Sequence, residues 1–190
     1  MPLIDAGEAE REGLLRVSEL MAIAARTAPK TRGVDEVVTA IVKGEEKDAV
    51  ADEMAKHYKG KRNPLPFFER DAENLRRSPL LLLLGVRGTS PKRPENPLNC
   101  GACGFETCAD FIGVKKKKGE DFTGPICVWH TVDLGIALGS AAKIASELNV
   151  DNRMMYSVGA AAKALSLIEA DVIVGIPISA TGKNIYFDRG

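Results

Sequence analysis

The sequence predicts a three-layered domain of the α/β or α+β class, with helices covering both faces of a small sheet. Three observations carry this. Long stretches have apolar residues at helical period, and short β-branched or apolar runs separate them. One such run, residues 80–86, is apolar without alternation, which predicts a strand buried on both faces.

The elements follow in order. Glu8 to Arg26 places Leu14, Val17, Leu20, Met21, Ala24 and Ala25 close to helical period, and Pro29 is a plausible stop. Val37 to Val42 is short and β-branched, as strands are. Glu45 to Tyr58 reads as a helix ended near Gly60, and Phe67 to Arg76 as a shorter helix after Pro64 and Pro66. Leu80 to Val86 is the central strand. Val132 to Leu148 is a long helix of small residues, among them Gly135, Ala137, Gly139, Ser140, Ala141, Ala142 and Ala145. Glycine weakens a helix, so its presence points to a close neighbour, and this helix is the candidate homodimer interface. Ser157 to Ile168 is a second Ala-rich helix, and Asp171 to Ser179 is a strand.

Composition bounds the rest. The chain has 190 residues, 45% hydrophobic and 27% charged, enough for one domain with a core. Net charge is zero and aromatics are 5%, which argues against nucleic acid as a partner. The longest apolar run, Leu80 to Leu84, is too short to span a bilayer, so no membrane association is expected. The start, Met1-Pro2-Leu3-Ile4-Asp5, lacks the basic-then-apolar pattern of a secretory leader. The expected location is the cytoplasm, where thiols stay reduced.

Thr89 to Asn99 carries Pro91, Pro94 and Pro97 and leads into the four cysteines of the chain, Cys100, Cys103, Cys108 and Cys127. Residues 89–129 therefore read as a small module inserted into a single domain, 1–190. The spacing C-x2-C-x4-C with a distant fourth cysteine supplies three ligands from a tight loop and one on the chain's return, as a [4Fe-4S] cluster requires. Gly101 and Gly104 directly follow ligands, where glycine lets the backbone wrap closely. Phe105, Phe111, Ile126 and Val128 are candidates to shield the site from water. Zinc is the alternative metal, although structural zinc sites usually come as two short-spaced pairs. Disulfides are the third reading, and the reducing compartment disfavours them.

The string Cys100-Gly-Ala-Cys103-Gly-Phe-Glu-Thr-Cys108-Ala-Asp-Phe111, with Cys127, resembles the four-iron-cluster domain of corrinoid iron–sulfur proteins and of certain electron-transport ferredoxin subunits. That resemblance implies a ligand role for all four cysteines. Other blocks resemble nitroreductase-type flavoproteins: Ala25-Arg26-Thr27-Ala28-Pro29 early, then Asp133-Leu134-Gly135-Ile136-Ala137, Gly159-Ala160-Ala161, Val172 to Gly175-Ile176-Pro177 and Arg189. The fold this implies is a nitroreductase-like α+β domain. The chain as a whole is similar to bacterial and archaeal proteins described as containing a ferredoxin domain.

The flavoprotein resemblance implies FMN as a second cofactor. Arg26, Lys30, Arg32, Lys183 and Arg189 are the basic residues available to its phosphate. The chain departs from that pattern: Lys30-Thr31-Arg32-Gly33 replaces an Asn-x-Gln-type segment, and Ile176 stands where an aromatic residue is expected.

Other residues read more plainly. Lys115 to Lys118 reads first as a solvated loop face, with docking of an acidic redox partner as the sharper alternative. His130 reads as packed, and His57 as a surface residue at a helix end. Asp133 and Asp171 read as capping and turn residues, and Met154, Met155 and Tyr156 as core or interface. No hydrolase or nucleotide-binding motif is present. The functional expectation is electron transfer through a [4Fe-4S] cluster, as a relay or within an oxidoreductase. The competing class is a zinc- or cluster-stabilised interaction or sensor domain without catalysis.

Overall fold

β2 (Leu80–Val86) is seven residues long and buried throughout, and the domain is built around it. In the computed structural model, which describes residues 3–187, β2 pairs antiparallel with β1 (Val37–Lys43) and with β6 (Val172–Ser179). A two-residue strand, β5 (Asp151–Asn152), pairs antiparallel on the far side of β6, giving the order β1-β2-β6-β5. Antiparallel pairing throughout makes the class α+β rather than α/β.

Successive β2 side chains enter opposite cores. Leu81 and Leu83 pack with Val50, Met54, Phe68, Leu75 and Val158, which belong to α2 (Gly44–Gly60), α3 (Phe67–Arg77) and α6 (Tyr156–Ala164). Leu82 and Leu84 pack with Met21, Leu134, Ala137 and Ala141, from α1 (Ala6–Thr27) and α5 (Val128–Glu147). Each fully buried leucine stabilises the fold by roughly 1.5–3 kcal/mol, so the unbroken apolar run is what holds both helical layers to the sheet.

Three helix boundaries depart from the sequence expectation. α1 starts two residues earlier, where the Asp5 carboxylate accepts the Glu8 N–H at 2.8 Å. α5 begins at Val128, directly after Cys127, and not at Val132; Val128 and Trp129 carry neither small-residue nor helix-former signals. α6 stops at Ala164 rather than Ile168, because Ser166 turns left-handed at φ 55° and the Leu167 N–H folds back to the Ala162 carbonyl at 3.1 Å. α6 also lies unusually close to β6. A Cβ on Gly159 would fall 1.8 Å from the Ile173 carbonyl oxygen, so only glycine fits there.

The segment between β2 and α5 holds α4 (Cys108–Gly113) and a hairpin of β3 (Lys117–Lys118) and β4 (Thr123–Gly124). From Arg93 to Ile126, Phe111 is the one buried residue. Among the described residues no helix is long and apolar enough to cross a membrane.

Candidate metal centre

The four cysteines line one small concavity. Its other walls are largely apolar, from Pro91, Leu98, Phe105, Phe111, Val128 and Trp129. All four are free thiols; Cys100 is exposed and Cys127 buried. Among the described residues no three His, Cys, Asp or Glu side chains stand close enough to share a single metal ion.

Local sequence sets this geometry. Asn99, Gly101 and Gly104 adopt positive φ of 47°, 72° and 85°, which bends the loop tightly; the Gly104 N–H closes a turn on the Gly101 carbonyl at 2.9 Å. The Asn99 side chain accepts the Cys108 N–H at 2.9 Å. α4 opens at Cys108 behind a reciprocal cap between Thr107 and Asp110. The lone tryptophan donates its indole N–H to the Cys100 sulfur at 3.3 Å. Hydrogen bonding from the Ala102 backbone, and then from Trp129, holds the Cys100 thiol below its ordinary pKa. Cys127 donates its N–H to the Gly88 carbonyl at 2.9 Å. A Cβ on Gly88 would come within 2.6 Å of Ile126, so glycine lets the chain's return pass close to the end of β2.

Three anchors pin the module to the domain. The first is a buried ion pair between Lys92 and Asp133 at 2.6 Å, each side chain 1% exposed. Lys92 also donates to the Val34 carbonyl at 2.7 Å, and Asp133 accepts the Thr31 N–H and hydroxyl at 2.9 and 2.7 Å. Asp133 is therefore not a helix cap: it lies inside α5 and joins three segments. The second is Asp121, in the turn between β3 and β4. It accepts from Lys61 and from His57 Nε2, each at 2.6 Å, and from the Tyr156 hydroxyl. Burial pushes the Asp121 carboxyl up, yet the hydrogen bonds from Lys61, Tyr156 and His57 prevail and leave it below its ordinary value. His57 is thus a partner of this carboxylate and not a free surface residue. The third is Asp171, which accepts the Gly88 and Thr89 N–H groups at 2.8 and 3.1 Å and so acts as a turn residue.

His130 is packed, 1% exposed, with Nε2 against the Ser90 carbonyl at 3.0 Å. Because a carbonyl only accepts, Nε2 carries the proton. Burial, then the Lys92 charge, holds the imidazole below its ordinary 6.5. Met155 is core and Met154 exposed.

The basic residues considered for an FMN phosphate do not gather within one chain. Lys30 is spent capping α1, donating to the carbonyls of Ala25, Arg26 and Ala28 at 2.8, 2.5 and 2.8 Å. Arg26 pairs with Asp35 at 2.5 Å and donates to the Val37 carbonyl. Arg32 donates to the Asn96 carbonyl in the module's lead-in. These three stand at the Val86 end of β2, whereas Lys183 follows Ser179 beyond the Leu80 end; seven strand residues, about 20 Å, separate the two. Arg189 lies outside the described residues.

The sequence pattern offers little warning of Lys92, Asp121 or Asp133. Each acquires its partner across dozens of residues, and only the unique Trp129, two positions after Cys127, carries a readable signal.

A helix-covered antiparallel sheet carrying a four-cysteine segment defines the class, an α+β domain with a cysteine module. A profile described as "Uncharacterized protein containing a ferredoxin domain (DUF2148)" matches residues 123–189. A protein of Archaeoglobus fulgidus, described as "Uncharacterized protein", is 44% identical over 187 residues, covering 98% of this chain and 97% of its own length. The chain belongs to this ferredoxin-domain family.

Solved structures resemble it in fold. A nitroreductase with bound FMN from Desulfitobacterium hafniense aligns with a TM-score of 0.56 at 15% identity, over 88% of this chain and 78% of the other. Nitroreductase CinD from Lactococcus lactis, in complex with chloramphenicol, gives 0.55 at 16% identity, over 90% and 79%. A putative nitroreductase in complex with FMN from Desulfovibrio desulfuricans gives 0.53 at 13% identity, over 92% and 78%. The fold is nitroreductase-like.

Proposed function

We propose that this chain is an iron–sulfur electron-transfer protein, in which Cys100, Cys103, Cys108 and Cys127 hold one [4Fe-4S] cluster. It serves as a relay or within a cytoplasmic oxidoreductase. One observation carries the reading: the only four cysteines of the chain line a single apolar-walled concavity. The ferredoxin-domain family supports it. The donor set fits, because four thiolates are what a [4Fe-4S] cluster takes, here three from one tight loop and one from the chain's return.

When bound, such a cluster supplies one-electron chemistry. The chain's own residues do the rest. Trp129 directs an N–H at the Cys100 sulfur, favouring the more negative state. Phe105 and Phe111 pack edge to face, ring centroids 5.7 Å apart, on the apolar wall that limits water. The Lys92–Asp133 and Asp121 anchors hold the ligand loop against the domain.

Anaerobic purification followed by a visible spectrum tests this. The expected result is a broad shoulder near about 400 nm that bleaches with dithionite, with about four iron atoms per chain. A colourless protein carrying one zinc sinks it.

FMN is the second reading, favoured by the flavin in solved structures of the same fold. Within one chain Lys183 stands at the opposite end of the sheet from Arg26, Lys30 and Arg32, so no step is drawn through flavin; a yellow chromophore released on denaturation would establish it. The outer side of α5, where a Cβ on Gly135 or Gly139 would meet no atom, lies beside exposed Val132 and Ile136. With Leu20 and Ile23 of α1, also exposed, it is the proposed homodimer contact.

A further inference from the structure

Residues 112–118 follow directly on Phe111, at the wall of the cysteine concavity. Phe111 lines that concavity and is covered from outside by Lys116, whose Nζ sits 3.7 Å from the ring centroid and donates to the Phe111 carbonyl. Lys116 is thereby fixed against the module. Its neighbours Lys115, Lys117 and Lys118 are exposed.

None of the four lysines is in an ion pair among the described residues. Of the nearby acids, Asp110 caps α4, Glu120 pairs with Lys61, and Asp121 holds Lys61, His57 and Tyr156, while Glu169 lines the surface pocket that Lys118 borders. Lys115, Lys116 and Lys117 therefore carry positive charge with no paired acid among the described residues, on a chain whose formal net charge is zero.

Two apolar side chains stand beside these cations, Ile112 at 52% and Val114 at 39% exposure. A solvated loop gains nothing from exposing them. Apolar side chains bordered by unpaired cations form a contact surface, where the apolar part excludes water and the charges steer the approach. The lack of stacking aromatics in this run turns the match from nucleic acid toward a protein of opposite charge.

We propose that this face docks a small acidic protein carrying a one-electron redox centre, and that the electron crosses on the Phe111 side of the module. The inference rests on the cluster reading above. With a cluster held by Cys100, Cys103, Cys108 and Cys127, one electron would leave the reduced carrier, which is oxidised, and reduce the bound group. No bond forms or breaks, and no proton is needed.

The test uses the full-length, iron-loaded protein and an acidic plant-type ferredoxin as probe. Wild type is compared with the Lys115→Gln/Lys117→Gln/Lys118→Gln variant at equal iron content and matching visible spectra. Binding is measured by calorimetry across a range of salt, and electron exchange by stopped-flow absorbance in whichever direction the potentials allow. Exchange with a reduced viologen, which needs no docking, is the control.

The expected result is at least about tenfold weaker binding and slower exchange in the variant at low salt, a difference that closes as salt rises. Exchange with the viologen stays within about twofold, since its encounter is not steered by a docking face. Iron-loaded wild type that does not bind the ferredoxin, or that binds it with no response to salt or to the triple substitution, overturns the docking face alone. Wild type that takes up no iron overturns the cluster reading, and the docking face with it.

Discussion

Replacing Lys92 with methionine removes one charge from the best-buried ion pair of the protein. Lys92 and Asp133 meet at 2.6 Å with 1% of each side chain exposed. Breaking such a pair strands a carboxylate away from water and costs about 3–5 kcal/mol. Asp133 keeps its bonds from the Thr31 N–H and hydroxyl, which places the loss near the low end, about 3 kcal/mol. At about 1.4 kcal/mol per tenfold, the folding equilibrium falls about a hundredfold. Urea unfolding followed by far-UV circular dichroism, at matched metal content, measures it. Adding Asp133→Leu removes the stranded charge, so the double variant should lose less than the sum of the single losses, by about 1–3 kcal/mol. A Lys92→Met protein within about 0.5 kcal/mol of wild type, or strictly additive losses, would refute the buried pair.

Other outcomes follow from the same geometry. Gly159→Ala puts a Cβ 1.8 Å from the Ile173 carbonyl oxygen, so α6 must lift off β6; a loss of about 3 kcal/mol or more in the same unfolding assay is expected. Trp129→Phe removes the N–H donated to Cys100 and should make the cluster's reduction potential more negative, on the order of tens of millivolts by protein-film voltammetry. His130 has a folded pKa below its ordinary 6.5, so the unfolded chain binds the extra proton. Its contribution is complete above about pH 6.5 and is lost as pH falls through the lower folded value. A His130→Asn variant should therefore show a shallower drop in stability between about pH 7 and 5.

β2 and the gathering of the four cysteines are the parts most legible in the sequence. Seven apolar residues without alternation need cover on both faces, and C-x2-C-x4-C with one later cysteine brings four thiols to one wall. Both signals are local, or depend on a rare residue type. The start of α5 is hidden because its first turn is Val128-Trp129-His130, and helix formation there is imposed by tertiary contacts. The ends of α6 and the strand β5 turn on left-handed or very short segments that carry no glycine or periodicity. Asp133 looks like a cap because its partner, Lys92, sits in a proline-rich stretch with no pattern of its own. Among the described phosphate candidates, antiparallel strands carry Lys30 and Lys183 to opposite ends of the sheet within one chain.

The module cannot be held by apolar burial of its own. From Arg93 to Ile126 a single side chain, Phe111, is buried, whereas segments of this size ordinarily need a disulfide or a metal to order them. The four cysteines form no disulfide, so under the proposed cluster reading the bound group would be the internal staple, its binding free energy coupled to the order of the loop. The anchors lie elsewhere: Lys92 before the first cysteine, Asp121 shortly before the last, and Cys127 itself at the head of α5. They fix the two ends of the insertion and leave its ligand loop to be closed by its cargo. Loss of the bound group should then loosen Asn99 to Val114 while the three-layer domain stays folded. That division would suit the proposed electron-transfer role, with the bound group near the surface on a scaffold that does not depend on it.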